Sequence, residues 1–136
     1  MTNRIQQDVL LTQTIALAAA AGSVYTTGID LMNSAAGDFV APVEFHVTAP
    51  ALTTTHLPDT ETMVYVVQTD TDVAFGSPTD LFTVITQTGA GGAGAAAAAA
   101  TFALPSGTER YLRLKITGST SIGNCSAVSG ILTPKF

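Results

Sequence analysis

Tyr111-Leu112-Arg113-Leu114-Lys115-Ile116 alternates strictly, with Leu112, Leu114 and Ile116 on one face and Arg113 and Lys115 on the other. A period of two is the signature of a strand that turns one side to a core and the other to solvent. Working outward, Val43-Glu44-Phe45-His46-Val47 repeats the pattern, with Val43, Phe45 and Val47 sharing the inner face and His46 pointing outward. Met63 to Thr69 is more continuous, Met-Val-Tyr-Val-Val, as expected of a strand covered on both sides. Val24 to Leu31, Leu81 to Thr86 after the turn Gly76-Ser77-Pro78, and Ser126 to Thr133 read as further strands, with a weaker one over Leu10 to Leu17. Short strands at turn spacing predict an all-β fold: a sandwich, jelly roll or barrel.

One tract opposes this reading. Gly89 to Ala100 is a Gly/Ala run ending in six alanines, Ala95 to Ala100, and alanine has the highest intrinsic helix propensity. Six residues are too few to nucleate an isolated helix, and the preceding glycines weaken it further. The expectation is a mobile loop over 89–100 leading into an extended segment at Thr101 to Leu104, with a short helix as the alternative.

The chain has 136 residues, of which 46 % are hydrophobic and 11 % charged, with a formal net charge of -5. That length suits one domain, 1–136, with a real core, and the hydrophobicity argues against disorder. Five cationic residues, Arg4, Arg110, Arg113, Lys115 and Lys135, cannot form the basic track that binding several phosphates requires, so no nucleic-acid partner is expected. No run of about 18 apolar residues predicts a membrane-spanning helix. Cys125 stands alone, which excludes an intramolecular disulfide and a Cys-based metal site and suggests a small buried thiol. Near the start, Val9-Leu10-Leu11 and Ile15 to Ala21 imitate a signal-peptide core. Asp8, Thr12, Gln13 and Thr14 interrupt it, and Arg4 is its only basic residue, so a folded or arm-like N-terminus is expected instead.

Catalysis needs a tunable acid, base or nucleophile, and candidates are few. His46 lies at an outward strand position, and His56 sits in the loop Thr53 to Pro58 without a strained Gly-x-Ser-x-Gly elbow. Asp70-Thr71-Asp72 continues as Val73-Ala74-Phe75, which lacks the alternate oxygen ligands and glycine of a calcium loop and reads as two carboxylates on a solvated turn. Asp30 and Asp80 show no paired-carboxylate spacing. Gly89 to Gly94 lacks the Lys-Ser/Thr of a phosphate loop. No catalytic, cofactor or metal site is expected, and the chain reads as not an enzyme.

A surface poor in charge falls short of the roughly 25–35 % charged residues an exposed surface usually carries. Much of it is therefore expected to be covered by partners. Ala, Gly, Ser and Thr lose little rotamer entropy on burial, which suits a structural subunit.

Three stretches carry a family resemblance. They are Thr14-Ile15-Ala16 through Ser23 to Ile29-Asp30-Leu31; Val66-Val67-Gln68-Thr69-Asp70-Thr71-Asp72-Val73-Ala74-Phe75; and Leu104-Pro105-Ser106-Gly107-Thr108-Glu109-Arg110-Tyr111-Leu112-Arg113-Leu114. From about Thr12 onward the chain resembles the capsid cement, or decoration, proteins of tailed bacteriophages, in particular the family represented by the Bordetella podovirus cement protein. The resemblance implies a jelly-roll-like β-barrel or sandwich on the outside of an icosahedral phage head. It also implies a homo-oligomer, a dimer in preference to a trimer, that bridges major capsid protein subunits. The Gly89–Ala100 tract and the Thr53–Thr62 loop fall outside it. The expected gripping residues are Ile5, Val9, Leu10 and Leu11 of an N-terminal arm, 1–11, and Ala95 and Ala96 of the Gly/Ala tract. The stretch 1–11 reads equally as an edge strand of the same fold. Its deletion is expected to leave a folded domain with weaker shell binding. The alternative function is a carbohydrate-binding or adhesion module of a virion. Such sites usually display aromatic platforms, and Tyr65 and Tyr111 fall within strands, leaving Tyr25 as its candidate.

Overall fold

The computed structural model describes residues 11–32 and 43–135. Among these residues there is no helix, and nine strands follow one another: β1 (Gln13–Ala16), β2 (Gly22–Tyr25), β3 (Ile29–Asp30), β4 (Glu44–Ala49), β5 (Thr62–Asp70), β6 (Thr79–Thr88), β7 (Ala98–Ala103), β8 (Tyr111–Gly118) and β9 (Ser129–Lys135). They form two antiparallel sheets. The first has the order β1-β9-β4-β7; in the second, β2 and β3 both pair with β8, followed by β5 and β6. The sheets face each other as a sandwich around one core.

The alternating strand behaves as its period requires. Leu112, Leu114 and Ile116 are fully buried, together with Phe45 and Val47 of β4, Met63, Tyr65 and Val67 of β5 and Leu132 of β9. Fully burying one such side chain contributes about 1.5–3 kcal/mol. On β5, Val64 and Val66 are only half-buried, so its outer face is less covered than the continuous apolar run predicts.

Several boundaries differ from the sequence reading, each for a local reason. The stretch Val24 to Leu31 divides into β2 and β3 because Thr26 takes over the pairing with β8. Its amide donates to the Leu114 carbonyl at 2.9 Å, and its Oγ1 accepts the Leu114 amide at 2.9 Å. The final strand starts at Ser129, since the Val128 amide donates to the Cys125 carbonyl at 3.1 Å in a turn. The first strand narrows to Gln13–Ala16; Met1 to Leu10, which hold most of the expected arm, lie outside the described residues.

The barrel expectation is corrected. β1 and β7 bound the first sheet, and β6 and the β2/β3 strand bound the second. Chain crossings rather than hydrogen-bonded ladders join the sheets at these edges, so the sandwich stays open.

The Gly/Ala tract is neither one loop nor a helix. Ala98, Ala99 and Ala100 belong to β7 and pair with Ala49, Thr48 and Val47 of β4, while Phe102 stacks on Phe45 at 5.5 Å and meets Phe82 edge-on at 5.0 Å. The preceding residues turn back on themselves. The Ala90 amide donates to the Gly94 carbonyl at 2.9 Å, and Leu52 and Ala95 exchange two hydrogen bonds of 2.8 Å. Gly94 has φ +68, and a Cβ there would lie 2.0 Å from the Leu52 carbonyl oxygen, so only glycine lets the two backbones approach. Gln87 locks this turn to the core. Its Nε2 donates to the carbonyls of Pro50 and Ala96 at 2.8 and 2.9 Å, and its Oε1 accepts from the buried Tyr65 hydroxyl at 3.1 Å.

Candidate functional site

The strand registers define two outer faces of contrasting chemistry. On the first sheet, Thr14, Ile131, Thr48 and Ala99 form one cross-strand row, and Thr133, which is buried, His46 and Thr101 form the next. Among the described residues, the charged ones on this face are Glu44 and Lys135, opposite each other at one end with Ala103 beyond. His46 points outward as its strand position predicts, with Nδ1 3.0 Å from Thr101 Oγ1. Partial burial, and secondarily the charge of Lys135, lower its pKa.

The second sheet carries a polar and aromatic cluster. Arg113 packs its guanidinium carbon 4.1 Å from the centre of the Tyr25 ring and 4.2 Å from that of Phe75. Its Nε donates to Gln68 Oε1 at 2.9 Å; Gln68 Nε2 donates to Asp80 Oδ1 at 2.5 Å, and Lys115 Nζ lies 3.3 Å from Asp80 Oδ2. The hydrogen bond from Gln68, then that from Lys115 and the nearby cations, hold the Asp80 carboxyl below its ordinary pKa despite partial burial. At the β3 edge, Arg110 grips Asp30 with two hydrogen bonds of 3.0 and 2.9 Å.

Of the expected interface residues, the described ones, Leu11, Ala95 and Ala96, line two separate hollows. Leu11 is 39 % exposed and lines a hollow of about 120 Å³ with Val43, Phe45 and Pro134. Ala95 is half-buried and Ala96 exposed, and both line an open hollow of about 560 Å³ with Ala51, Leu52, Ala90 and Ala93. The two hollows sit at opposite ends of β4. Ile5, Val9 and Leu10 lie outside the described residues.

Asp70, Asp72 and Cys125 are engaged in structure, whereas His56 keeps its buried Nδ1 without a partner among the described residues. Asp70 is 4 % exposed and not on a solvated turn. Its Oδ1 accepts the Asp72 amide and its Oδ2 the Ser77 amide, both at 3.0 Å, and these donors, the Asp72 amide first, lower its pKa. Asp72 in turn accepts the Ala74 amide at 3.0 Å, so the two carboxylates serve their own loop. Cys125 is fully buried, which raises its thiol pKa, and Sγ donates to the carbonyls of Gly123 and His56 at 3.4 and 3.5 Å. Among the described residues no group of three His, Cys, Asp or Glu is placed to hold a metal ion. Tyr25 is 43 % exposed, yet the Arg113 guanidinium packs against its ring.

Sequence reasoning missed the Arg113 cluster. The outward position of Arg113 and the exposure of Tyr25 were readable, whereas Phe75 reaches them from the β5–β6 loop through a left-handed backbone, φ 51. Comparison with protein-family models finds no match for the chain, and comparison with curated proteins finds none either.

Proposed function

We propose that the chain is a non-catalytic shell subunit: a capsid cement protein on the outside of an icosahedral bacteriophage head, bridging neighbouring major capsid protein subunits. The observation that carries this reading is the outer face of the first sheet. Its rows of Thr, Ala and Ile with His46 keep Glu44 and Lys135 at one end, so covering most of its described residues desolvates no formal charge while His46 is neutral. Its small side chains also lose little entropy on ordering. β7 closes that face with no Lys, Glu, Asp or Pro in Ala98–Ala103, and such charges or prolines are what usually blunt an edge against further pairing.

The strand order supports a jelly roll. Taking β2 and β3 as one interrupted strand, the antiparallel pairs are β1 with β9, β2/β3 with β8, β4 with β7, and β5 with β6, four pairs in two four-stranded sheets. In a homo-oligomer, a dimer in preference to a trimer, rotation repeats the same face. Several weak contacts to the coat then combine through high effective concentration.

Electron cryo-microscopy of the particle that carries this chain tests the reading. Density for the sandwich at symmetry axes between coat subunits is the expected result. Density on a tail or fibre, or a chain free of the particle, overturns it.

A further inference from the structure

Arg113 is held more firmly than a surface arginine needs to be. It stands opposite Gln68 in the β5–β8 register, bonded through Nε and packed against two aromatic rings. Phe75 is 8 % exposed and adopts φ 51, a conformation that a bulky residue keeps only where its surroundings impose it. The imposing groups are visible. The Phe75 amide donates to the Asp72 carbonyl at 3.0 Å, the Asp70 carboxylate gathers the loop amides, and Gly28 leaves the space that the ring fills. A Cβ on Gly28 would lie 2.6 Å from Phe75 Cε2.

A guanidinium carries five N–H donors, and Nε uses one of them. The Nη groups of Arg113 make no hydrogen bond with any described residue. His56 Nδ1 is the one buried side-chain polar atom without a partner among the described residues, so the Nη donors reach the surface. The result is a cation held between two aromatic rings, with Asp70 and Asp80 nearby, whose unpaired Nη donors keep contact with solvent. Paired Nη donors match the two oxygens of a carboxylate.

We propose that Arg113 anchors a binding site for a carboxylate side chain, an Asp or Glu on a partner protein, seated on the Nη edge beside the Tyr25 ring. The surroundings favour a protein over a small anion. Tyr25 is 43 % exposed, Val73 at the adjoining loop is 64 % exposed, and Val64 and Val66 are half-buried on the same face. Arginine and tyrosine are residue types enriched at interface hot spots, and the guanidinium, with Lys115 in the next row, is complementary to an acidic partner. The site lies on the second sheet and does not depend on the shell reading.

The test uses the full chain and nuclear magnetic resonance of arginine Nε–Hε groups. Sodium acetate is expected to shift the Arg113 signal and the Tyr25 ring protons saturably, while sodium chloride at equal ionic strength does not. A hexaglutamate peptide is expected to bind at least tenfold more tightly than hexaglutamine. Arg113→Lys, which keeps the charge and loses the fork, removes the difference. Tyr25→Ala, which removes one of the two rings against Arg113, weakens peptide binding several-fold in a protein that still melts cooperatively, and keeps the proposal testable should Arg113→Lys fail to fold. Equal shifts with chloride, or an Arg113→Lys protein that binds hexaglutamate like the parent, overturns the proposal. Binding of glucuronate without binding of hexaglutamate overturns the protein partner and assigns the site to an acidic sugar.

Discussion

The two sheets share a core and a strand geometry, yet their outer faces are opposites. Across the first, Thr14, Ile131, Thr48 and Ala99 line up without a charge. Across the second, Arg113, Gln68 and Asp80 are linked by hydrogen bonds, and Lys115 and Tyr25 stand in the next row. The inner faces obey one rule, burial of apolar side chains, whereas the outer faces are free to differ. The first has little to lose on being covered, and the second holds its polar groups in fixed positions.

The strongest way to break this comparison is to show that the inner face is not what unites the sheets. Leu114→Ala, at a fully buried position, is expected to destabilise the fold by about 2–5 kcal/mol through lost transfer energy and a cavity, measured by urea unfolding. A loss below about 1 kcal/mol would place the stabilising contacts elsewhere.

Gln87→Leu addresses the link between the core and the Gly/Ala turn. It removes the donor to the Pro50 and Ala96 carbonyls and the acceptor of the Tyr65 hydroxyl, and should cost about 1–3 kcal/mol. Amide hydrogen exchange at Leu52 and Ala95 is expected to accelerate more than exchange in β8, because their bridge sits beside the loosened turn.

Charge placement sharpens the contrast between the outer faces. Ala99→Lys on the first sheet and Thr86→Lys on the second both alter exposed positions, so each should change stability by no more than about 0.5 kcal/mol. On the proposed shell function, only Ala99→Lys is expected to weaken binding to the particle, by about tenfold, as measured by sedimentation with the shell. Equal weakening by both would remove the distinction.

The smallest effect is on pH dependence, and its windows differ between the sheets. Asp70 and Asp80, of the second sheet, have folded pKa values below the ordinary 3.8. Their contribution is present above the unfolded value and is lost as pH falls through the lower folded one. His46, of the first sheet, also has a lowered value, from 6.5. The unfolded chain then takes up the His46 proton first, and stability declines as pH drops from 6.5 toward the folded pKa. Thermal melts of His46→Gln should lose the upper decline and keep the acid one, and melts of Asp70→Asn should keep the upper decline and weaken the acid one, with the share of Asp80 remaining.

Much of the core was legible because one period governs it. Leu112, Leu114 and Ile116 and the pair Phe45 and Val47 occupy the inner positions that alternation assigns to them. The bounds of β7 were not legible. Alanine favours helix in isolation, but the hydrogen bonds offered by β4 and the stacking of Phe102 on Phe45 exist only once the sheets have met. The Arg113 cluster was half legible. Its outward position follows from the period, while its ring partners come from β2 and from a loop more than thirty residues away in sequence.

By itself, then, the sequence determined the all-β class, the inward face of each clear strand and the scarcity of charge, since these depend on residue type and a spacing of two. The tertiary structure alone decided that the sandwich stays open, that alanines extend into a strand, and that Arg113 meets Tyr25 and Phe75. Each of those outcomes depends on contacts between segments far apart in the chain, which local propensity and periodicity do not encode.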